Sequence, residues 1–344
     1  MKNYRERLKR FFAGLSKEDG KEGGKENGKE PVIKLDLLGK KKRDRRSFIK
    51  GISASAGIGA SILGVGASTL MSQEEKERLG LSWEEFFKTN YRYMSGREKR
   101  KTVKRLEKLA KLKRKETVTI SDKGAIPGVL YGYAFNISKC QGYMDCIDAC
   151  LKENNLDRKS NMQYIKVFEV ENGSLNVENG DPHFFHEVPK DEHFYMGTQC
   201  MHCENPPCVP VCPTEATWKE DDGIVVVDYD WCIGCRYCEA ACPYEARRFN
   251  WAAPLVPAQE LNTNQHYLGN RNKTKGVMEK CTFCIQKTRE GENPACVEAC
   301  PTGARVFGNL LDPNSEIRKI IETKKVFRLK EELGTEPKFW YYMD

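Results

Sequence analysis

Apolar side chains recur at helical spacing among many lysines and arginines between residues 73 and 118. The recurring positions are Val103, Leu106, Leu109, Ala110 and Leu112. This spacing predicts a basic amphipathic helix, which we place in an extension at residues 72–125. Its apolar face either packs on the rest of the protein or docks onto a partner or anionic lipid.

Strand patterns occur between residues 163 and 227. Residues 217–227 predict a strand, a turn and a strand, with Asp222-Gly223 as the hairpin turn. Residues 163–170 and 174–177 predict a second hairpin about Asn172-Gly173. Short strands mixed with short helices predict an α+β fold.

The first 71 residues predict a targeting segment rather than part of the fold. Arg45-Arg46 and Phe48 precede an uncharged stretch, 51–71, made largely of Gly, Ala, Ser and Ile. This pattern resembles a twin-arginine signal, which a receptor reads as an address. The alternative is a membrane-spanning anchor, although the glycines and serines make the stretch poorly hydrophobic. We therefore expect a disordered basic leader at 1–44, a signal or anchor at 45–71, and a protein at the periplasmic face of the cytoplasmic membrane.

The formal net charge of +8 is concentrated in the leader. Residues 1–50 carry 17 Lys or Arg and 8 Asp or Glu, so the rest of the chain is close to neutral. Because the basic arm leads directly into a targeting pattern, we assign its charge to that role. We expect no nucleic-acid partner.

All 15 cysteines fall into four runs. The runs are Cys140-x5-Cys146-x3-Cys150, Cys200-x2-Cys203-x4-Cys208-x3-Cys212, Cys232-x2-Cys235-x2-Cys238-x3-Cys242 and Cys281-x2-Cys284-x11-Cys296-x3-Cys300. The third run is the bacterial ferredoxin motif, in which three cysteines wrap one cluster and the fourth reaches a neighbouring cluster. Zinc sites typically pair two separated Cys-x2-Cys units and need no trailing cysteine. We therefore interpret the runs as iron–sulfur ligands rather than as zinc ligands or disulfides.

From about residue 133 to 307 the chain resembles the four-cluster ferredoxin subunits of polysulfide, dimethyl sulfoxide and tetrathionate reductases and of related respiratory complexes, including alternative complex III. The order of the four runs, the x4 gap of the second and the x11 gap of the fourth carry this resemblance. It implies two tandem bacterial-ferredoxin-like modules with hairpin insertions, at residues 126–310, behind the N-terminal helical, basic extension. We expect residues 311–344 to form a C-terminal tail that docks onto a partner.

The resemblance also implies which cysteines share a cluster, because in that family the first run pairs with the fourth and the second with the third. The implied ligands are Cys140, Cys146 and Cys300 for cluster 1; Cys150, Cys281, Cys284 and Cys296 for cluster 2; Cys200, Cys203, Cys208 and Cys242 for cluster 3; and Cys212, Cys232, Cys235 and Cys238 for cluster 4. Every cysteine of the chain is used in this scheme.

Cluster 1 lacks one thiolate, because Tyr143 stands where the family pattern has a cysteine. A cubane that misses one thiolate tends to lose that iron, so we expect three [4Fe–4S] clusters and one [3Fe–4S] cluster. The alternatives are a cubane with an oxygen ligand from Tyr143, Asp145 or water, and the loss of cluster 1.

Other chemistry finds little support in the sequence. Four histidines lie near the runs, and we interpret them as surface or internally hydrogen-bonded side chains: His183, His186, His193 and His202. No Gly-x-Gly-x-x-Gly follows a strand pattern and no Gly-x-x-x-x-Gly-Lys-Ser/Thr phosphate loop occurs, so nucleotide chemistry is not indicated.

The resemblance implies an electron relay that is not an enzyme by itself. Its expected partners are a catalytic subunit, either a molybdopterin enzyme or a multihaem cytochrome, and a multi-span membrane subunit that binds quinone. A free periplasmic ferredoxin shuttle is an alternative. A self-sufficient enzyme that uses an open iron at Tyr143 is another, although no acid, base or substrate-binding group accompanies that position.

Overall fold

The computed structural model describes residues 94–160, 162–174 and 176–344. The predicted leader, the predicted twin-arginine segment and the first part of the predicted extension lie outside these residues. Within the described part of the chain, no helix is both long enough and apolar enough to cross a membrane.

The described residues form short helices and short strands joined by long loops. The helices are α1 (Gly96–Arg114), α2 (Asp145–Glu153), α3 (Tyr237–Ala240), α4 (Ile285–Thr288), α5 (Ala295–Glu298) and α6 (Glu316–Thr323). The strands are β1 (Thr119–Ser121), β2 (Tyr131–Asn136), β3 (Lys166–Glu171), β4 (His193–Thr198), β5 (Thr217–Lys219), β6 (Val225–Val227), β7 (Arg248–Phe249), β8 (Asn264–His266), β9 (Met278–Glu279), β10 (Arg305–Asn309), β11 (Val326–Phe327) and β12 (Phe339–Tyr342). Single 3-10 turns occur at Val177–Asn179, Ala258–Glu260 and Glu331–Leu333. This mixture confirms the predicted α+β class.

The largest sheet among the described residues has four strands in the order β10, β2, β12, β11. Strand β2 runs antiparallel to β10 and parallel to β12. The aromatic side chains of Tyr133, Phe135, Phe339 and Tyr341 are completely buried there, as expected for strand-forming residues that fill a core. The segment 311–344, expected as a tail, thus supplies a central strand of this sheet as well as helix α6.

The hairpin predicted at residues 217–227 is confirmed. Strands β5 and β6 pair antiparallel, with Thr217 opposite Val227. Gly223 has a φ of +81°, a left-handed conformation that glycine adopts at little cost. Strand β6 is buried along its whole length.

The second predicted hairpin is wrong in its return strand. The chain does turn after β3, where Gly173 has a φ of +86°, but none of the described residues that follow, Ser174, Asn176 and Val177, lies in a strand. Strand β3 pairs instead with the distant β4, so that Phe168 faces Met196. The distant pairing is favoured because β4 buries Tyr195 and Met196 completely or nearly so, whereas Ser174 and Asn176 after the turn are polar and exposed.

Helix α1 confirms the predicted amphipathic helix. Ser95 and Glu98 form a capping box that fixes its start. Val103, Leu106 and Ala110 pack against the buried core, so this face is covered by the protein itself. Leu109 and Leu112, in contrast, remain exposed.

Candidate functional site

The first and fourth cysteine runs meet in the structure. Helix α2 carries Cys146 and Cys150 and lies against helix α5, which carries Cys296. Cys140, Cys146 and Cys300 line one void together. Burial raises the pKa of the Cys140 thiol to about 11, and Cys146 and Cys300 add to the rise. The three thiols assigned to cluster 1 are therefore neighbours.

The four thiols assigned to cluster 2 are also neighbours, and they are the most deeply buried set. Burial raises the pKa of Cys150, and nearby Cys284, Cys281 and Cys296 raise it further. Burial likewise raises the pKa of Cys281 to about 12. The amide of Asn154 lies 3.5 Å from the Cys150 Sγ and 3.6 Å from the Cys284 Sγ, so it bridges the two runs.

The second and third runs meet in the same way. Cys200, Cys203, Cys208 and Cys242, assigned to cluster 3, line a second void. Burial raises the pKa of Cys203 to about 12, and Cys200, Cys208 and Cys242 contribute to the rise. The Nη2 of Arg247 donates to the Cys208 Sγ at 2.9 Å.

The thiols assigned to cluster 4 form a shallower group. Burial raises the pKa of Cys238 to about 11, and nearby Cys232 and Cys212 add to this. The backbone N–H of Met278 donates to the Cys232 Sγ at 3.4 Å. Cys235 is exposed, so this is the group that lies nearest to solvent.

The four thiol groups are adjacent in the order 1, 2, 3, 4. Although burial is the largest cause of each raised thiol pKa, thiols of neighbouring groups also contribute. The contributing pairs are Cys296 with Cys146, Cys281 with Cys200, and Cys238 with Cys208. Each thiol group is therefore next to the following one, so the four groups form a row.

The donor set fits iron–sulfur clusters better than single metal ions. All 15 cysteines are free thiols, and among the described residues no three Cys, His, Asp or Glu side chains form a group that could hold one ion. A zinc site draws four ligands onto a single ion, whereas thiolates around a cluster stand further apart. Buried thiols of raised pKa become thiolates when they bind positively charged iron.

Tyr143 lies at the cluster 1 void. Its side chain is 48% exposed and lines the void together with Asp145 and the three thiols. The tyrosine and the aspartate thus border the same void as the three thiols. Gly142, with a φ of +77°, lets the loop pass close to the ring of Tyr195.

Three of the four histidines agree with the prediction. His183 and His186 are exposed, and His186 lies 2.7 Å from the Glu169 carboxylate. His193 contacts a backbone carbonyl through its Nδ1. His202 differs, because it is completely buried and stacks on Phe283 at 3.8 Å. Its Nδ1 accepts the Val225 N–H, and its Nε2 has no hydrogen-bond partner among the described residues.

Two arginines that lie beside the thiols, Arg247 and Arg305, were not among the site residues predicted from the sequence. Arg247 and Arg305 are buried at 2% and 3% exposure. A signal for them exists in the sequence, because both follow a run-ending Cys-Pro in the pattern Cys-Pro-x-x-Ala-Arg.

Comparison with known proteins agrees with this geometry. The sequence profile of the 4Fe-4S dicluster domain matches residues 191–262 and 259–310. A subunit of the selenate reductase of Mesobacillus selenatarsenatis is 33% identical over 312 residues, which are 88% of this chain and 97% of that protein.

Two further relatives match about three fifths of the chain. The Hdr-like menaquinol oxidoreductase iron–sulfur subunit 1 of Archaeoglobus fulgidus is 42% identical over 209 residues, 57% of this chain and 71% of the relative. A subunit of the tetrathionate reductase of Salmonella typhimurium is 35% identical over 214 residues, 61% of this chain and 71% of the relative.

Proposed function

This chain belongs to the iron–sulfur subunits of oxidoreductase complexes and is an electron-transfer subunit rather than a catalytic one, and we propose that it relays single electrons through a row of four clusters. The observation that carries the proposal is the adjacency of four thiol groups in one order, which together contain every cysteine of the chain except Cys235. Neighbouring groups form two pairs, as two tandem ferredoxin-like modules require.

The residues around the thiols support the role of a relay. The thiols of cluster 2 are 4–7% exposed, so bulk water is excluded from the middle of the row. The bound clusters supply the one-electron chemistry, and the protein sets their spacing, burial and hydrogen bonding. Cys235 is exposed at the cluster 4 end, and Tyr143 is half exposed at the cluster 1 end. Electrons therefore have an entry point and an exit point at opposite ends of the row.

We assign three [4Fe–4S] clusters to clusters 2, 3 and 4 and a [3Fe–4S] cluster to cluster 1. Three thiols border the cluster 1 void, and Tyr143 and Asp145 border it as well, with no fourth cysteine among its lining residues. Thiolates are the usual ligands of such clusters, so the iron at that side is the one expected to be lost.

The partners follow from the family. One is a catalytic subunit, a molybdopterin enzyme or a multihaem cytochrome, and the other is a multi-span membrane subunit that binds quinone. The names of the relatives, which include a selenate reductase, a tetrathionate reductase and a menaquinol oxidoreductase, support an assembly of this kind. We place the assembly at the periplasmic face of the cytoplasmic membrane, by the signal predicted at residues 45–71.

The experiment is metal and sulfide analysis of the native complex isolated from membranes. Three cubanes and one three-iron cluster require about 15 iron atoms and about 16 sulfides per chain. A preparation that contains mainly zinc would refute the proposal. A chain that elutes alone from gently solubilised membranes, with its clusters intact, would instead favour the free shuttle.

A further inference from the structure

In the part of the chain that the structure describes, the buried lysines and arginines fall into two kinds. Four of them form ion pairs with carboxylates: Arg271, Lys273, Arg289 and Lys338. Three others, Arg305, Lys280 and Arg247, are equally buried and have no carboxylate within 4.0 Å among the described residues. Burying a charge without a partner is costly, so these three cations need negative charge from another source.

Arg305 lies between the thiols of clusters 1 and 2. Its Nη1 donates to the Tyr133 hydroxyl at 3.3 Å and to the Gln199 Oε1 at 3.2 Å. Its Nη2 is buried without a hydrogen-bond partner in the described part of the chain, and the side chain lines the cluster 1 void. Burial lowers the pKa of Arg305, but Cys146 and Cys296 are among the groups that raise it above its ordinary value. One of these thiols belongs to each cluster.

Arg247 occupies the corresponding place between clusters 3 and 4. Its Nη2 donates to the Cys208 Sγ and to the Thr217 Oγ1, both at 2.9 Å, while its Nη1 is buried with no partner among the residues that the structure describes. Burial lowers the pKa of Arg247, but Cys208, Cys238 and Cys200 raise it above its ordinary value. These thiols come from both clusters of the pair.

Lys280 lies at the remaining junction, between clusters 2 and 3. It is 0% exposed, and its Nζ donates to the Cys281 carbonyl at 2.7 Å. His202, which lies between the cluster 3 ligands Cys200 and Cys203, stacks on Phe283 at 3.8 Å. Phe283 lies between the cluster 2 ligands Cys281 and Cys284, so the second and fourth runs meet beside Lys280.

The sequence repeats the feature that places the two arginines. Residues 300–305 and 242–247 both read Cys-Pro-x-x-Ala-Arg, and in the first of these the Ala304 N–H donates to the Cys300 Sγ at 3.3 Å. Residues 212–217 share the pattern except that Thr217 replaces the arginine. The Thr217 hydroxyl accepts a hydrogen bond from Arg247, so each pair of clusters receives one guanidinium.

We propose that Arg305, Lys280 and Arg247 are fixed counter-charges of the cluster row, one at each of its three junctions, and that each raises the reduction potentials of the two clusters beside it. The proposal rests on the four-cluster function above. A cluster gains negative charge when it is reduced, so a nearby buried cation favours the reduced form and raises the potential.

The test is a potentiometric titration of the native complex, followed by electron paramagnetic resonance so that each cluster is read separately. Arg305→Gln should lower the potentials of clusters 1 and 2, Lys280→Gln those of clusters 2 and 3, and Arg247→Gln those of clusters 3 and 4. The matched variants Arg305→Lys, Lys280→Arg and Arg247→Lys keep the charge and should stay closer to the wild-type potentials.

This overlapping pattern makes the proposal refutable. Loaded variants in which no potential changes, or in which all four fall equally, would overturn it. If Arg305→Gln does not assemble its clusters, Gln199→Glu tests the role of Arg305 instead. It adds a carboxylate at the 3.2 Å contact with the Arg305 Nη1 and should lower the potentials of clusters 1 and 2. Unchanged potentials in that variant would overturn the proposal. Wild-type protein without the expected iron and sulfide would refute the four-cluster function itself, whereas loaded clusters with unchanged potentials refute only the role of the cations.

Discussion

Tyr143→Cys tests the cluster 1 assignment directly. The new thiol would stand on the loop that lines the cluster 1 void, at the x2 spacing from both Cys140 and Cys146 that the third run uses. The phenol it replaces is 48% exposed and lies at the rim of the void rather than in the core. The variant therefore changes a ligand while leaving the packing of the core intact.

The size of the effect follows from the geometry. A half-exposed side chain outside the core typically changes the free energy of unfolding by no more than about 0.5 kcal/mol when replaced, so the variant should fold and assemble like the wild type. Its iron content should rise by about one atom per chain, from about 15 to about 16, because the restored thiolate completes a fourth cubane.

Electron paramagnetic resonance of the oxidised complex provides the assay. The wild type should give the sharp signal of a [3Fe–4S] centre, and Tyr143→Cys should abolish it while a fourth cubane signal appears on reduction. Tyr143→Phe is the matched control, because it removes the phenol oxygen without adding a thiol and should keep the three-iron signal. A signal that persists in Tyr143→Cys would show that the three-iron centre does not arise from the missing thiol at position 143. A wild type without the signal would show that cluster 1 is oxygen-ligated or missing.

Three further changes probe the site, the fold and the targeting segment. In Gly142→Ala the new Cβ would lie 2.6 Å from the Tyr195 ring at a φ of +77°, so the three-iron signal should be lost. The control is Gly173→Ala, which has a similar φ but no atom within 4 Å of the new Cβ among the described residues, and it should retain the signal. Equal behaviour of the two variants would contradict the steric argument. Removal of iron by a chelator should unfold much of the cluster domain, seen as loss of circular dichroism and of protease resistance; an apo chain that stays resistant would disprove this. Replacing Arg45 and Arg46 with lysine should leave loaded protein in the cytoplasm, and periplasmic recovery at the wild-type level would argue against the predicted signal.

Local patterns in the sequence predicted the elements whose residues are close together in the chain. The hairpin around Gly223 needed only a turn between two apolar runs, and helix α1 needed only a recurring apolar face beginning at a cap. In both cases the information lies within a few turns of the chain. The grouping of the thiols came instead from the family resemblance, because the first and fourth runs, which meet in the fold, are far apart in the sequence.

The pairing of strands that are far apart in the chain could not be predicted from local sequence patterns. Strand β3 pairs with β4 across a loop, and β12 lies beside β2 although Phe339 and Tyr133 are about two hundred residues apart. No local pattern distinguishes such partners, because the choice depends on which distant surface buries the same side chains. The aromatic run at residues 339–342 was a strand signal that the expectation of a tail overlooked.

The unpaired buried cations and the crowded thiols both make folding of the chain without clusters unfavourable. Arg305, Lys280 and Arg247 are buried without carboxylates among the described residues, and thiols of raised pKa surround the junctions where they lie. Each group alone opposes folding, since a lone buried charge and a set of mutually repelling thiolates are both unfavourable. Bound clusters offset both costs, because iron neutralises the thiolates and the loaded cluster remains an anion beside the cation. Folding and cluster insertion should then be one event, which requires that the chain acquires its clusters before it leaves the compartment where they are built. A signal of the twin-arginine type, predicted at residues 45–71, is suited to such a chain because that route carries proteins already folded.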